Sequence, residues 1–141
     1  KAAQKEAEQN FIPNKELLKV RVLSDGAYFN KALATINVIA PEKLTRTRDI
    51  IEYYYRKARI YDELKQNTEA VKYYLISIQK GENYKYYFAA NACIKLGAIF
   101  EEQHKKSNAI QYYKKAIQLD KDEYSNSIDA EAKAGLNRLG N

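Results

Sequence analysis

The chain holds one cysteine and one histidine, Cys93 and His104, the obvious candidates for a nucleophile and its base. Such a pair must lie within hydrogen-bond reach. Eleven positions along one helix would separate them by about 16 Å, and His104 falls in a turn. Cys93 reads instead as a small apolar packing residue. No cluster of residues has the ligands a metal requires. Asp120-x-Asp122 with Glu131 faintly mimics a calcium loop, but Ser125 stands where glycine is obligatory and Tyr124 occupies a ligand position. A phosphate-cradling glycine loop is missing too. The residues therefore argue against an enzyme, and no catalytic group, metal or cofactor is expected.

What remains is arginine and tyrosine. There are 13 tyrosines and no tryptophan, and Arg46, Arg48, Arg56, Lys57 and Arg59 concentrate positive charge among several of them. Aromatic rings interleaved with cations can stack single-stranded nucleic acid. Asp49, Glu52, Asp62 and Glu63 break up that run, and a net charge of +6 is modest for a nucleic-acid binder. Nucleic acid is accordingly disfavoured. The mild basic excess suits an acidic partner, on a surface where both signs are mixed.

These side chains need a scaffold, and its elements are legible. At 141 residues the chain is one domain with a slender core. Hydrophobic residues make up 45% and charged residues 30%, which excludes a disordered chain. No apolar run is long enough to span a bilayer. Two prolines and five glycines leave long stretches for helices. Pro13 marks a helix start, with Leu17, Val20 and Leu23 on one face and a stop near Asp25-Gly26. Phe29, Leu33 and Ile36 give a second helix that ends before Pro41.

Asp49-x-x-Glu52 offers a reciprocal cap for a third helix, with Thr45 or Thr47 as alternative starts. Its face is Ile50, Tyr54, Ala58 and Tyr61. Asn67 or Thr68 is expected to cap a fourth, through Val71, Tyr74, Leu75 and Ile78, with Gly81 as a left-handed stop. Tyr86 to Phe100, Ala109 to Ile117 and Ile128 to Leu139 supply three more stripes, the first two separated by a turn at His104 to Ser107. Period-two alternation is never sustained, so no strand is expected.

Ala32, Ala70 and Ala109 lie 38 and 39 residues apart, each inside a similar frame. The frame is clearest as Cys93-x-x-Leu96-Gly97-x-x-Phe100 followed by Ala109-x-x-x-Tyr113-x-x-Ala116. It recurs at Tyr54, Ala58, Tyr61, Ala70 and Tyr74, where Lys57 and Ser77 depart from it, and more weakly at Val20, Leu23, Ala32 and Ile36. Small residues such as Gly97 and Ala109, twelve apart on opposite arms of a helical hairpin, let two antiparallel helices approach closely. Tyr and Phe then fill the space between successive pairs.

Over residues 13 to 120 this frame resembles the tetratricopeptide-repeat family. The resemblance implies an all-α, right-handed superhelix of antiparallel helix pairs with a C-terminal capping helix. The units are a partial helix at 1–12, repeats at 13–41, 42–81 and 82–121, and a cap at 122–141. The period exceeds the family's usual 34 residues by about one helical turn, a surplus placed around Pro41 to Asp49 and Gly81 to Tyr87. Because the last stripe is backed by Asp129, Glu131, Lys133 and Arg138 and the N-terminal segment lacks such a polar cap, further repeats are expected ahead of Lys1.

The resemblance further implies a scaffold that holds a protein or peptide in a concave groove lined by the first helix of each pair. Its groove positions map onto Arg21, Tyr55, Arg59, Asn91, Ile94 and Lys95, with Asp62, Glu101 and Glu102 nearer one edge. Tyrosine with arginine is a hot-spot combination, and an acidic or mixed peptide would suit it. A terminal-carboxylate clamp fits poorly, since Leu17 stands where a lysine is wanted. Tyr54, Tyr61, Tyr74 and Tyr113 fall on the packing frame and are expected in the core. The rival reading is purely structural: the end of a longer solenoid, or a self-association module forming homo-oligomers.

Overall fold

The computed structural model describes residues 12–141, and the partial helix expected at the N-terminus falls almost wholly outside them. Among them seven α-helices follow one another: α1 Lys15–Asp25, α2 Phe29–Asn37, α3 Thr47–Glu63, α4 Asn67–Gly81, α5 Tyr87–Glu102, α6 Lys106–Gln118 and α7 Ser125–Arg138. A single 3-10 turn, Pro41–Lys43, interrupts the link between α2 and α3. No strand occurs among the described residues. Each helix packs on the next, giving hairpins α1–α2, α3–α4 and α5–α6, and α7 lies against both α5 and α6.

One turn geometry closes all three hairpins. Ala27, Lys65 and His104 take φ of 63°, 62° and 60°. The following amide reaches back to the same carbonyl each time: Tyr28 N to Leu23 O at 2.8 Å, Gln66 N to Tyr61 O at 2.9 Å, Lys105 N to Phe100 O at 2.8 Å. This six-residue closure satisfies carbonyls that the helix end leaves open. Each left-handed residue precedes Ala32, Ala70 or Ala109 by five positions, so the turn repeats with the alanines.

Local caps depart from the sequence expectation in three places. Asn14, just after Pro13, caps α1 by accepting from Glu16 N and Leu17 N. Asp49 and Glu52, by contrast, form no capping box. Asp49 lies inside α3 and takes Arg46 Nε at 2.7 Å, while Glu52 takes Arg56 Nε at 3.0 Å. Asn67 and Thr68 are already the first two residues of α4, and Gln66, which stands at its N-cap, makes no side-chain capping bond. Nor is Gly81 a left-handed stop. It is the last helical residue of α4, buried where an added Cβ would stand 2.9 Å from Ile51 and 3.2 Å from Ala89. The glycine serves close approach of helices, not chain reversal.

Two apolar clusters make the core, and α3 separates them. Leu17, Val20, Ala32 and Ile36 of the first hairpin meet Tyr53 and Ile60 of α3. The opposite side of α3, with Ile51, Tyr55 and Ala58, joins the larger cluster that runs through α4, α5 and α6 to Ile128, Ala132 and Leu136 of α7. A helix packed on two sides has room to bury neighbours that diverge by about 100°. The tyrosine assignment therefore changes. Tyr74 and Tyr113 are buried as expected, Tyr53 and Tyr55 are buried as well, and Tyr54 and Tyr61 are only half-buried.

The two departures from the repeat frame have local explanations. Lys57 donates to Tyr53 Oη at 3.2 Å, and its ammonium lies 4.9 Å from the centre of the Tyr73 ring. That ring stacks on Tyr54 and Tyr61, so the lysine covers an aromatic row with its cation. Ser77 donates from Oγ to the carbonyl of Ile51 at 3.1 Å, which satisfies its hydroxyl in a fully buried position.

Candidate binding groove

The first helix of each pair, together with α7, turns one side toward a common recess. Its lining includes Arg21 and Asp25 from α1, Tyr55, Arg56 and Arg59 from α3, Tyr87 and Asn91 from α5, and Ser127 and Ile128 from α7. The recess measures about 270 Å³. Two neighbours of about 200 and 250 Å³ continue it, and Arg56 lines all three. None reaches the size that typically encloses a small molecule, about 300 to 1,000 Å³. The three together form a groove running along α3.

The floor is rigid. Tyr55 is buried, and its hydroxyl accepts from Arg59 Nη1 at 3.2 Å and from Asn91 Nδ2. Its ring packs on Phe88 and Tyr87 with centroids 5.6 and 6.2 Å away. Arg56 donates from Nη2 to Tyr87 Oη at 3.1 Å and pairs through Nε with Glu52. Its guanidinium lies 5.4 Å from the Tyr55 ring centre and 5.9 Å from that of Phe88.

Burial works against the charge on Arg56, but Tyr87, Glu52 and Tyr55 outweigh it and hold its pKa above the ordinary value. Arg59 behaves the same way, with Tyr55 the main opposing influence. Burial raises the Tyr87 phenol despite the nearby Arg56 cation. At neutral pH Arg56 and Arg59 thus stay charged and the Tyr87 phenol neutral.

The arginines differ in commitment. Arg56 is held by two partners, whereas Arg21 and Arg59 stand 3.9 Å from Asp25 and Glu63, pairs that are exposed or half-exposed. Ion pairs of that length in water contribute little, so Arg21 can turn to another anion, and Arg59, whose Nη1 donates to Tyr55 Oη, can offer Nη2 to one. Three arginines face one carboxylate in the central recess.

Of the six groove positions expected from the sequence, Arg21, Tyr55, Arg59 and Asn91 come together here. Ile94 is 2% exposed and belongs to the core. Lys95 is half-buried and lines none of the three recesses. α7 packs on α5, and Ile94 shares a cluster with Ile128, Ala132 and Leu136 of α7. The acids placed near the groove edge have structural tasks. Asp62 accepts from Tyr74 Oη at 2.8 Å, and Glu101 accepts from Tyr113 Oη at 2.8 Å and Arg138 Nε at 2.9 Å.

Arg56, Tyr87, Tyr124 and Ser127 were not anticipated. Helical spacing held the clue for two of them: Arg56 lies three positions before Arg59, and Tyr87 four before Asn91. Nothing local marks Tyr124, which sits in the α6–α7 link and reaches the groove only through the fold.

Cys93 is fully buried, and burial pushes its thiol up to about 12, which keeps it protonated and inert. Among the described residues no group of three or more His, Cys, Asp or Glu is placed to hold a metal ion. No helix among them is long and apolar enough to cross a membrane. A family model for the tetratricopeptide repeat matches residues 51–78 and 90–123, the α3–α4 hairpin and the α5–α6 hairpin with the link that follows. No curated protein and no solved structure matches the chain.

Proposed function

We propose, from the premise that this chain is a tetratricopeptide-repeat protein, that it is a non-enzymatic module which takes a partner's extended acidic segment into the groove of α1, α3, α5 and α7. Repeats of this family mediate protein–protein interaction. The observation that carries the finer reading is the lining of the central recess, where Arg21, Arg56 and Arg59 meet Asp25, while Glu52 and Glu63 pair with Arg56 and Arg59 from outside it. A preformed floor of Tyr55, Phe88 and Tyr87 keeps Arg56 and Arg59 in place, so these two lose little entropy on binding. Division into repeats at 13–41, 42–81 and 82–121, with 122–141 as the cap, belongs to the same proposal.

The test is a comparison of proteins captured from extract by the chain and by its Arg21→Ala/Arg59→Ala form, identified by mass spectrometry. Arg21 is exposed and Arg59 half-buried, and Tyr55 Oη keeps Asn91 as a partner when Arg59 is gone, so circular dichroism should not change. Each lost charge-assisted contact is worth about 1.5 to 3 kcal/mol, and the captured partners should fall away from the double variant. Equal capture by both forms refutes the groove. Tyr55→Ala is the wrong probe, because it empties a buried ring site and reports on folding.

A second reading has one observation in its favour: Val22 of α1 is 60% exposed, whereas the residues one period on, Ile60 and Ile99, are 0% and 4% exposed. Self-association through α1 would cover it. Sedimentation over a range of concentrations separates the two: a dimer abolished by Val22→Asp supports this reading, and a monomer throughout removes it.

A further inference from the structure

We infer that the partner segment carries a large apolar side chain, aromatic or branched aliphatic, beside its acidic residue, and that Tyr124 with Leu18 and Pro13 receives it. The inference rests on the groove reading above and adds the second half of the recognition chemistry.

The receiving recess adjoins the central one and shares Arg21, Arg56, Tyr87 and Tyr124 with it. Pro13 and Leu18 of the α1 end line it with Tyr124 of the α6–α7 link, beside the charged side chains of Arg48, Glu52 and Glu123. Leu18 is 44% exposed and Tyr124 60% exposed. Neither side chain belongs to a core cluster. Apolar surface left in water within a cleft is favourable to cover, at about 25 cal/mol per Å².

Tyr124 is costly where it is. Its backbone is left-handed, with φ 59° and ψ 19°, a conformation that costs a residue with a Cβ about 1 to 2 kcal/mol. The link is pinned by Asp122 N donating to Lys85 O at 3.0 Å, and the Tyr124 carbonyl accepts from Ile128 N at 2.9 Å as α7 begins. Glycine or asparagine would serve that helix start more cheaply. The tyrosine side chain makes no capping bond. What it adds is a ring held edge-on to Tyr87, centroids 5.0 Å apart, at the mouth of the cleft.

The two recesses touch, so one extended segment spans both. At about 3.3 Å per residue, an apolar side chain against Tyr124 leaves its acidic neighbour, one or two positions away, beside Arg21 and Arg59. The same ring-and-arginine combination could stack a base above a phosphate. Glu52, Glu63, Glu123 and Asp25 stand along the same groove, so it suits a segment with a single acidic residue and opposes a polyphosphate chain, which carries a charge on every unit.

The experiment is to pan a random 12-residue peptide display library against the wild-type chain, Tyr124→Ala and Arg59→Gln. Enriched segments are then resynthesised with fluorescein for anisotropy titration, with a single-stranded thymidine oligonucleotide run alongside. Wild type should enrich Phe, Tyr, Leu or Ile within two positions of Asp or Glu. Tyr124→Ala should weaken those peptides about tenfold, yet leave unchanged a version whose apolar residue is alanine. Tyr124→Phe should bind as wild type, and Leu18→Ser should act in the same direction as Tyr124→Ala.

Acidic peptides without apolar preference, or equal binding by Tyr124→Ala, overturn the subsite. The groove still stands in that case if Arg59→Gln loses the peptides. If Arg59→Gln binds the enriched peptides unchanged, the groove itself is wrong. No enrichment, or tighter binding of the oligonucleotide than of any peptide, overturns both.

Discussion

In α5–α6, Gly97 faces the ring of Tyr113, and an added Cβ there would come within 2.7 Å of it. In α1–α2 the corresponding positions hold Val20 and Ile36, both fully buried. A larger residue on the first helix accompanies a smaller one on the second, and α3–α4 lies between with Ala58 and Tyr74. The later hairpins gain a polar fastening from the exchange. Tyr113 reaches Glu101 and Tyr74 reaches Asp62, each at 2.8 Å near the hairpin turn. Ile36 has no hydroxyl to offer, and at the corresponding acid position Ser24 Oγ is buried without a hydrogen-bond partner among the described residues.

The first hairpin is also the shorter and the barer: α2 has 9 residues against 13 for α6. Among the described residues, five of the eight exposed large apolar side chains, Ile12, Leu18, Val22, Tyr28 and Val38, lie in or beside it. One backbone plan thus holds two grades of packing, and local opening should begin at α1–α2.

The sharpest way to break this comparison is Gly97→Val. The Tyr113 ring lies between Gly97 and Gly135, whose added Cβ atoms would stand 2.7 and 2.6 Å from it, so the ring has nowhere to retreat. Overpacking there should cost about 3 kcal/mol or more in urea unfolding. Adding Tyr113→Ile recreates the Val20 and Ile36 combination and should recover part of the loss, short of the bonds to Glu101 and Arg138. A double variant no better than the single would show that volume exchange does not relate the hairpins.

Smaller, and aimed at exposure, is the pair Ile60→Ala and Val22→Ala. They occupy one register on successive first helices. Ile60→Ala deletes a fully buried side chain and should cost about 2 to 5 kcal/mol, while Val22→Ala should stay within about 0.5 kcal/mol. Hydrogen exchange should also find the amides of α1 and α2 opening before those of α5 and α6. Equal costs would mean that Val22 is covered in solution.

The repeat was legible because its cause is local: Ala32, Ala70 and Ala109 are small at fixed intervals, and spacing alone reports that. Arg21, Tyr55, Arg59 and Asn91 were legible as a set for the same reason, since position in the repeat fixes the facing side. Burial of Tyr53 and Tyr55 together was hidden, because it needs a hairpin on each side of α3. Ile94 and Lys95 were misplaced by the fourth helix of the series, α7, which lies over α5. Tyr124 left no trace in the sequence because a link residue meets the groove only when the chain has folded. Gly81 was misjudged through its neighbours, which act by contact with Ile51 and Ala89 rather than through φ.

The gentlest test lies in the turns. In the first, Gly26 has φ −84°, and the left-handed position falls on Ala27 instead. Lys65 and His104 occupy the equivalent places at nearly the same φ. Glycine at any of the three relieves a Cβ penalty of about 1 to 2 kcal/mol and adds unfolded-state entropy that opposes it. Ala27→Gly, Lys65→Gly and His104→Gly should therefore each gain up to about 1 kcal/mol. Identical backbones would give identical gains if the array unfolded as one body. If α1–α2 opens first, Ala27→Gly should slow hydrogen exchange in that hairpin and hardly move the main urea transition, whereas Lys65→Gly and His104→Gly should move it. Three equal shifts of the main transition would make the hairpins one cooperative unit, whatever their packing.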